Sequence, residues 1–180
     1  LNSSGNMENL ADVLEKHGRG LVKSGHIELL GILRGLESDG FSLTQWGLIR
    51  ELRGDILSIQ GRWDEAQQEY ASAIPTAKKY KEAETLSRLL TARADIAVKR
   101  GAMDDALELH RQALEIQIAK RDAEGAANSY ISMGYIFRRR RDTRHALEVY
   151  GNVEELLEAE DDPSLMNARV QLASAFLEMG

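Results

Sequence analysis

The sequence has no cysteine, so a disulfide framework, a thiolate metal site and a thiol nucleophile are all excluded. Proline occurs only 2 times and glycine 15 times in 180 residues, too few for a collagenous or disordered chain, and 43% hydrophobic content allows a real core. Aromatic residues make up 6%, and the β-branched residues do not gather into alternating runs, so strands of period two are hard to place anywhere. No stretch approaches the roughly 18 apolar residues of a membrane span. The amino terminus also lacks the charged and apolar regions of a secretory signal. These absences point to an all-helical chain in a cytoplasmic setting, with no membrane partner. A net charge of -6 and a pI near 5.3 leave no broad basic face for phosphate neutralisation, which argues against nucleic acid.

What is present is a period. Ala66, Ala106 and Ala146 stand 40 residues apart, and Gly54, Ala94 and Gly134 sit 12 residues before them. Each unit reads as two amphipathic helices, and one such pair cannot bury its own apolar face, so stacked copies must share a core. The third unit is clearest. Tyr130, Met133 and Phe137 make one large apolar stripe, Gly134 leaves room for a close neighbour, and Ala146 with Tyr150 answers from the second helix. Unit one repeats this with Gly54, Ala66 and Tyr70, and unit two with Ala94, Ala106 and His110. A degenerate unit begins around Gly18, and the tail offers Leu172, Ala173 and Phe176. Residues 1–6 read as a tag remnant or disordered tail, whose Asn2-Ser3-Ser4 is a chance-grade glycosylation pattern. Residues 7–180 read as one domain with units of approximately 7–41, 42–81, 82–121, 122–161 and a partial 162–180.

Boundary residues agree with this division. Ser42 and Gln45 form a capping box after the Ser38-Asp39-Gly40 loop, Asp122 and Asp142 can cap two helices, and Asp162-Pro163 a third. Pro75 is discordant, because it falls inside an expected second helix and removes a backbone donor. It predicts a kink or an early stop.

With large-x2-apolar-small-x2-large followed by Ala-x3-aromatic, residues 130–150 resemble a tetratricopeptide repeat, and units one and two follow more loosely. The 40-residue period is similar to the long-helix subtype of kinesin light chains and of sensor arms in regulatory ATPases. The resemblance implies a right-handed α-solenoid of antiparallel helix pairs, no cofactor and no catalysis. It also implies that peptides or partner helices bind along a concave face built from each unit's first helix. That face would carry Glu51, Asp55, Ser58 and Ile59, then Thr91, Asp95, Val98 and Lys99, then Ile131, Tyr135, Arg138 and Arg139. The degenerate unit would add Glu15, Arg19, Val22 and Lys23, and the tail Val170, Ser174, Leu177 and Glu178. Members that grip a peptide backbone place asparagine two residues before the small site, whereas Leu52, Ala92, Ser132 and Gln171 stand there. Asp55 and Asp95 would repel a terminal carboxylate, which removes the carboxylate clamp. The groove is mixed in charge, acidic in unit one and basic by unit three.

Local features give weaker signals. Arg138 to Arg141, with Arg144, form either an anion site or a helix carboxyl terminus decorated with favourable cations, and the second reading is preferred. Glu154, Glu155, Glu158, Glu160, Asp161 and Asp162 form an acidic counterpart, read as a solvated turn. His17, His26, His110 and His145 lie in different units, which argues against a metal site. His110 takes the aromatic place of its repeat and is expected to pack with one hydrogen-bonded nitrogen. Gly18 to Ser24 lacks the glycine before lysine and the preceding strand of a phosphate loop. Trp46 and Trp63 are assigned to burial between units.

The functional expectation is a non-enzymatic protein-binding module within a larger regulatory protein, taking a peptide or partner helix. Its partner-binding residues are Asp55, Asp95, Lys99, Tyr135, Arg138 and Arg139. The alternative is a structural or self-association arm of a multidomain regulatory ATPase or transcriptional regulator.

Overall fold

A computed structural model describes residues 10–36, 41–159 and 163–179. The terminal tail at 1–6, the 38–40 loop and the acids and cap at 160–162 lie outside the described residues. The architecture is all-α, with helices paired antiparallel and packed in sequence order. Helix α1 (10–23) contains a π-helical turn, Leu14–Gly18, and is followed by the short α2, Leu29–Arg34. Then come α3 (Leu43–Ile59), α4 (Trp63–Lys79), α5 (Ala83–Lys99), α6 (Met103–Lys120), α7 (Ala123–Arg139) and α8 (Thr143–Ala159). A 3-10 turn at Pro163–Leu165 leads into α9, Met166–Leu177.

From Leu43 to Thr143 the helix starts fall every twenty residues, a finer rule than the 40-residue unit. The turns explain it. Gly61, Lys81, Gly101, Arg121 and Arg141, again twenty apart, all adopt positive φ between 56° and 78°. After each, the next backbone N–H reaches back five residues, as Arg62 does to Leu57 and Asp142 to Phe137, both at 2.9 Å. This left-handed closure satisfies the last helix carbonyls, and glycine serves it without strain at only two of the five places. Ser42 and Gln45 form the expected reciprocal box on α3. The Asp122 carboxylate accepts from Gly125 N at 2.9 Å, and Asp142 from His145 N at 3.2 Å.

Pro75 neither stops nor shortens its helix, because α4 runs unbroken to Lys79. Ala73, Ile74 and Ala77 are buried around it, while Pro75 and Ala71, whose carbonyl loses its partner, are exposed. Water can satisfy that carbonyl, and buried neighbours hold the turn. Pro75→Ala should restore one helical hydrogen bond and raise stability by about 1 kcal/mol, visible as a higher urea midpoint.

The chain divides into two compact units, 1–92 and 93–180. In the first, Gly54 faces Tyr70 so closely that a Cβ on it would lie 2.3 Å from the ring, and Gly18 meets Leu52 at 2.7 Å on the same test. In the second, Gly134 faces Tyr150 at 2.2 Å. Tyr70, Tyr150 and His110 are all essentially sequestered from solvent. The middle pair, Ala94 and His110, enlarges the small residue and reduces the ring, so the summed volume across the seam is kept. Ala173, the tail's small site, is exposed.

Candidate functional site

In the second unit, the first helices of successive pairs leave an open groove of ≈ 370 Å³. Helix α5 contributes Asp95, Val98 and Lys99, α7 contributes Ile131, Ser132 and Tyr135, and α9 contributes Gln171. Their spacing follows from the helical period. The buried stripes of α5 (Ala94, Ile96, Ala97) and α7 (Met133, Gly134, Phe137) turn inward to the core, which leaves the intervening positions on the groove side. Tyr135 retains 39% of its surface in contact with solvent. The guanidinium of Arg139, itself exposed, lies 6.0 Å from that ring's centroid.

Asp95 is the acid of the groove. Packed protein raises its pKa to about 6, with Lys99 pulling the other way, although 54% of the side chain still reaches solvent. Partial exposure makes this a moderated effect of burial. Beneath it, His110 Nε2 lies 3.9 Å from Asp95 Oδ1, too far for a hydrogen bond. Neither ring nitrogen of His110 has a hydrogen-bond partner, so the expected single bonded nitrogen is corrected. The histidine fits the space that Ala94 leaves but is too short to reach the acid. Burial depresses its pKa to about 4, and the ring is neutral near pH 7.

The first unit has a pocket of ≈ 340 Å³ on the same face, lined by Glu15, Arg19, Glu82, Glu84 and Arg88 among others, and two of its bases are bridged by Glu51. Glu51 is buried and accepts from Arg19 Nε and Nη2 at 2.9 and 3.0 Å and from Arg88 Nε at 2.9 Å. Burial alone would raise the Glu51 pKa, but the two guanidiniums outweigh it and hold it below the usual range. Asp55 accepts from the Tyr70 hydroxyl at 2.7 Å. Its pKa is raised to about 6, chiefly by burial and further by Glu51, against the Tyr70 bond.

Of the expected binding residues, the structure thus brings Asp95, Lys99 and Tyr135 to one groove and sets Arg139 beside it. Asp55 belongs to the other unit and is engaged by Tyr70. Arg138 is also engaged: it donates to Ala175 O at 3.1 Å and pairs with Glu178. In the remainder of the arginine run, Arg140 pairs with Asp104 at 2.7 Å and Arg141 holds the left-handed turn. Ser132 and Gln171, noted in sequence only for not being asparagine, prove to line the groove; their helical register was the signal. Trp46, half-buried, is flanked by Arg53 and Arg50 at 4.8 and 5.4 Å and stacks on Phe41. Trp63 opens α4 and is half-buried.

Residues 48–119 match the tetratricopeptide repeat family. No curated protein matches the sequence. Among solved structures, the chain is similar to BtubC (BKLC) from P. vanneervenii, with a TM-score of 0.60 at 16% identity over 99% of this chain and 68% of that one. At that identity the likeness is one of fold. Among the described residues, no helix is long and apolar enough to cross a membrane.

Proposed function

We infer that this chain is a tetratricopeptide repeat protein and a non-enzymatic interaction module whose second unit receives an extended peptide or partner helix in the groove between α5, α7 and α9. Repeats of this family are generally protein-interaction modules, and the finer assignment rests on one observation. The groove of the second unit combines an exposed tyrosine with apolar walls, whereas the first unit's pocket of similar size, ≈ 340 Å³, is lined mostly by charged residues, two of which, Arg19 and Arg88, are tied to Glu51. An exposed tyrosine, two apolar walls and charges of both signs provide an anchor, a stem contact and a direction. A mixed-charge ligand would sit in one orientation, its basic part toward Asp95 and its acidic part toward Lys99 and Arg139.

Peptides selected from a random display library against the full chain would test this. Tyr135→Ala with Arg139→Glu should weaken the selected peptides at least tenfold, which corresponds to about 1.4 kcal/mol, and leave the helical circular dichroism unchanged. Unchanged affinity in that double variant would refute the groove.

A self-association or docking arm is the second reading. Met166, Val170 and Leu177 are 60%, 62% and 84% exposed and fall on one side of α9. Light scattering that finds a strict monomer at high concentration would count against self-association.

A further inference from the structure

We propose that the groove of the second unit captures a cationic side chain, an arginine or lysine of the partner segment, between the Asp95 carboxylate and the Tyr135 ring. This rests on the groove reading above and names what the groove selects. The register of the inner face carries the argument. In the first unit, the residue after the small site of α1 is Arg19, and the residue three before the small site of α3 is Glu51. One edge of the guanidinium, Nε and Nη2, donates to the two oxygens of that carboxylate at 2.9 and 3.0 Å. That face supplies its own counter-ion. In the second unit the corresponding positions are Asp95 on α5 and Ile131 on α7, so an acid faces a hydrocarbon.

Among the described residues of the unit, none takes the place of that guanidinium. His110 lies under the carboxylate at 3.9 Å, fully buried, with both ring nitrogens unpartnered. It is neutral and adds no positive charge. Arg138, the base nearest in register on α7, is already held by Glu178 and Ala175 O. Lys99, one turn beyond Asp95, offsets only part of the effect of burial on that acid.

The walls suit a long cationic side chain. Val98 and Ile131 offer apolar surface to its methylenes, and Tyr135 offers a ring face to its head group. Arg139 already stands at the outer limit of such a contact with that ring. Because it is exposed, it can yield the face to an incoming guanidinium.

N-acetyl-arginine amide, titrated into the full chain and followed by two-dimensional NMR, is the direct test. Resonances of Asp95, Ile131 and Tyr135 should shift saturably, while N-acetyl-citrulline amide and N-acetyl-aspartate amide should not shift them. Asp95→Asn should weaken the arginine probe about fivefold to tenfold. Acidification from pH 7.5 to 5 should weaken it about tenfold, because the carboxylate titrates near 6. The charged and titratable groups facing Asp95 are Lys99 on its own helix, His110 from α6 and Tyr135 from α7, while α9 contributes the uncharged Gln171. Equal shifts with citrulline, no saturable shift with arginine, or full binding by Asp95→Asn would each overturn the cation anchor. The groove itself would survive those results if Tyr135→Ala with Arg139→Glu still weakened the selected peptides.

Discussion

Tyr150→Ala should cost about 3–5 kcal/mol of stability, and in its presence Gly134→Ala should change from a destabilising to a stabilising substitution. In the parent chain a Cβ on Gly134 would stand 2.2 Å from Tyr150 Cε1 and 2.5 Å from Cζ, distances no methyl group tolerates. The ring cannot move aside freely, because it is buried and meets Phe176 edge-on at 5.7 Å between centroids. Overpacking of this kind costs about 1–3 kcal/mol, and the gain in helix propensity from glycine to alanine returns up to about 1 kcal/mol. The single variant should therefore lose about 1–2 kcal/mol. With Tyr150 truncated the obstruction is gone, and only the propensity gain and partial filling of the cavity remain. Urea denaturation of the four members of the cycle gives the coupling directly. Equal effects of Gly134→Ala in both backgrounds would mean that the close approach does not constrain this seam.

That seam was largely legible in the sequence because it is periodic. Gly54, Ala94 and Gly134 announced where helices approach, and Tyr70, His110 and Tyr150 announced what fills the gap, since residues in phase along a repeat see the same neighbours. The compensating exchange at Ala94 and His110 was written there too, in the size of each partner. Charge was not legible in the same way. Nothing local distinguishes Arg138, tied to Glu178 forty residues away, from the exposed Arg139 beside it. Nor does the sequence around Glu51 say that Arg19 and Arg88 converge on it from helices on either side. Of the two outcomes Pro75 predicts, a kink or an early stop, the stop does not occur, because buried residues on both sides of the proline hold the helix together. The twenty-residue turn rule escaped notice because lysine and arginine stand at three of its left-handed positions, where glycine would have signalled it.

His110→Leu should stabilise the protein by about 1–3 kcal/mol at neutral pH, and the advantage should grow on acidification. The parent buries two ring nitrogens without a partner, and leucine has a similar volume and no polar atom to desolvate. The pH dependence follows from the depressed pKa. An unfolded chain takes up a proton on this histidine near its ordinary value of about 6.5, whereas the folded chain resists until about 4. Stability contributed by the neutral ring is thus complete above pH 6.5 and lost as pH falls toward 4, by about 3 kcal/mol in the limit. Asp55 and Asp95 act in the opposite sense, because their folded pKa values are raised to about 6. Each accepts a proton in the folded state before the unfolded one, so its contribution is largest below the ordinary carboxylate value and is lost as pH rises through 6. In the parent these opposed trends overlap between pH 4 and 6.5 and partly cancel, and the parent's own acid profile is a poor measure of either. The difference between His110→Leu and the parent isolates the histidine, since both chains keep the two aspartates. Urea midpoints at pH 7 and pH 4.5 should therefore diverge further at the lower pH. A constant difference would show that the folded chain takes up the histidine proton as readily as the unfolded one.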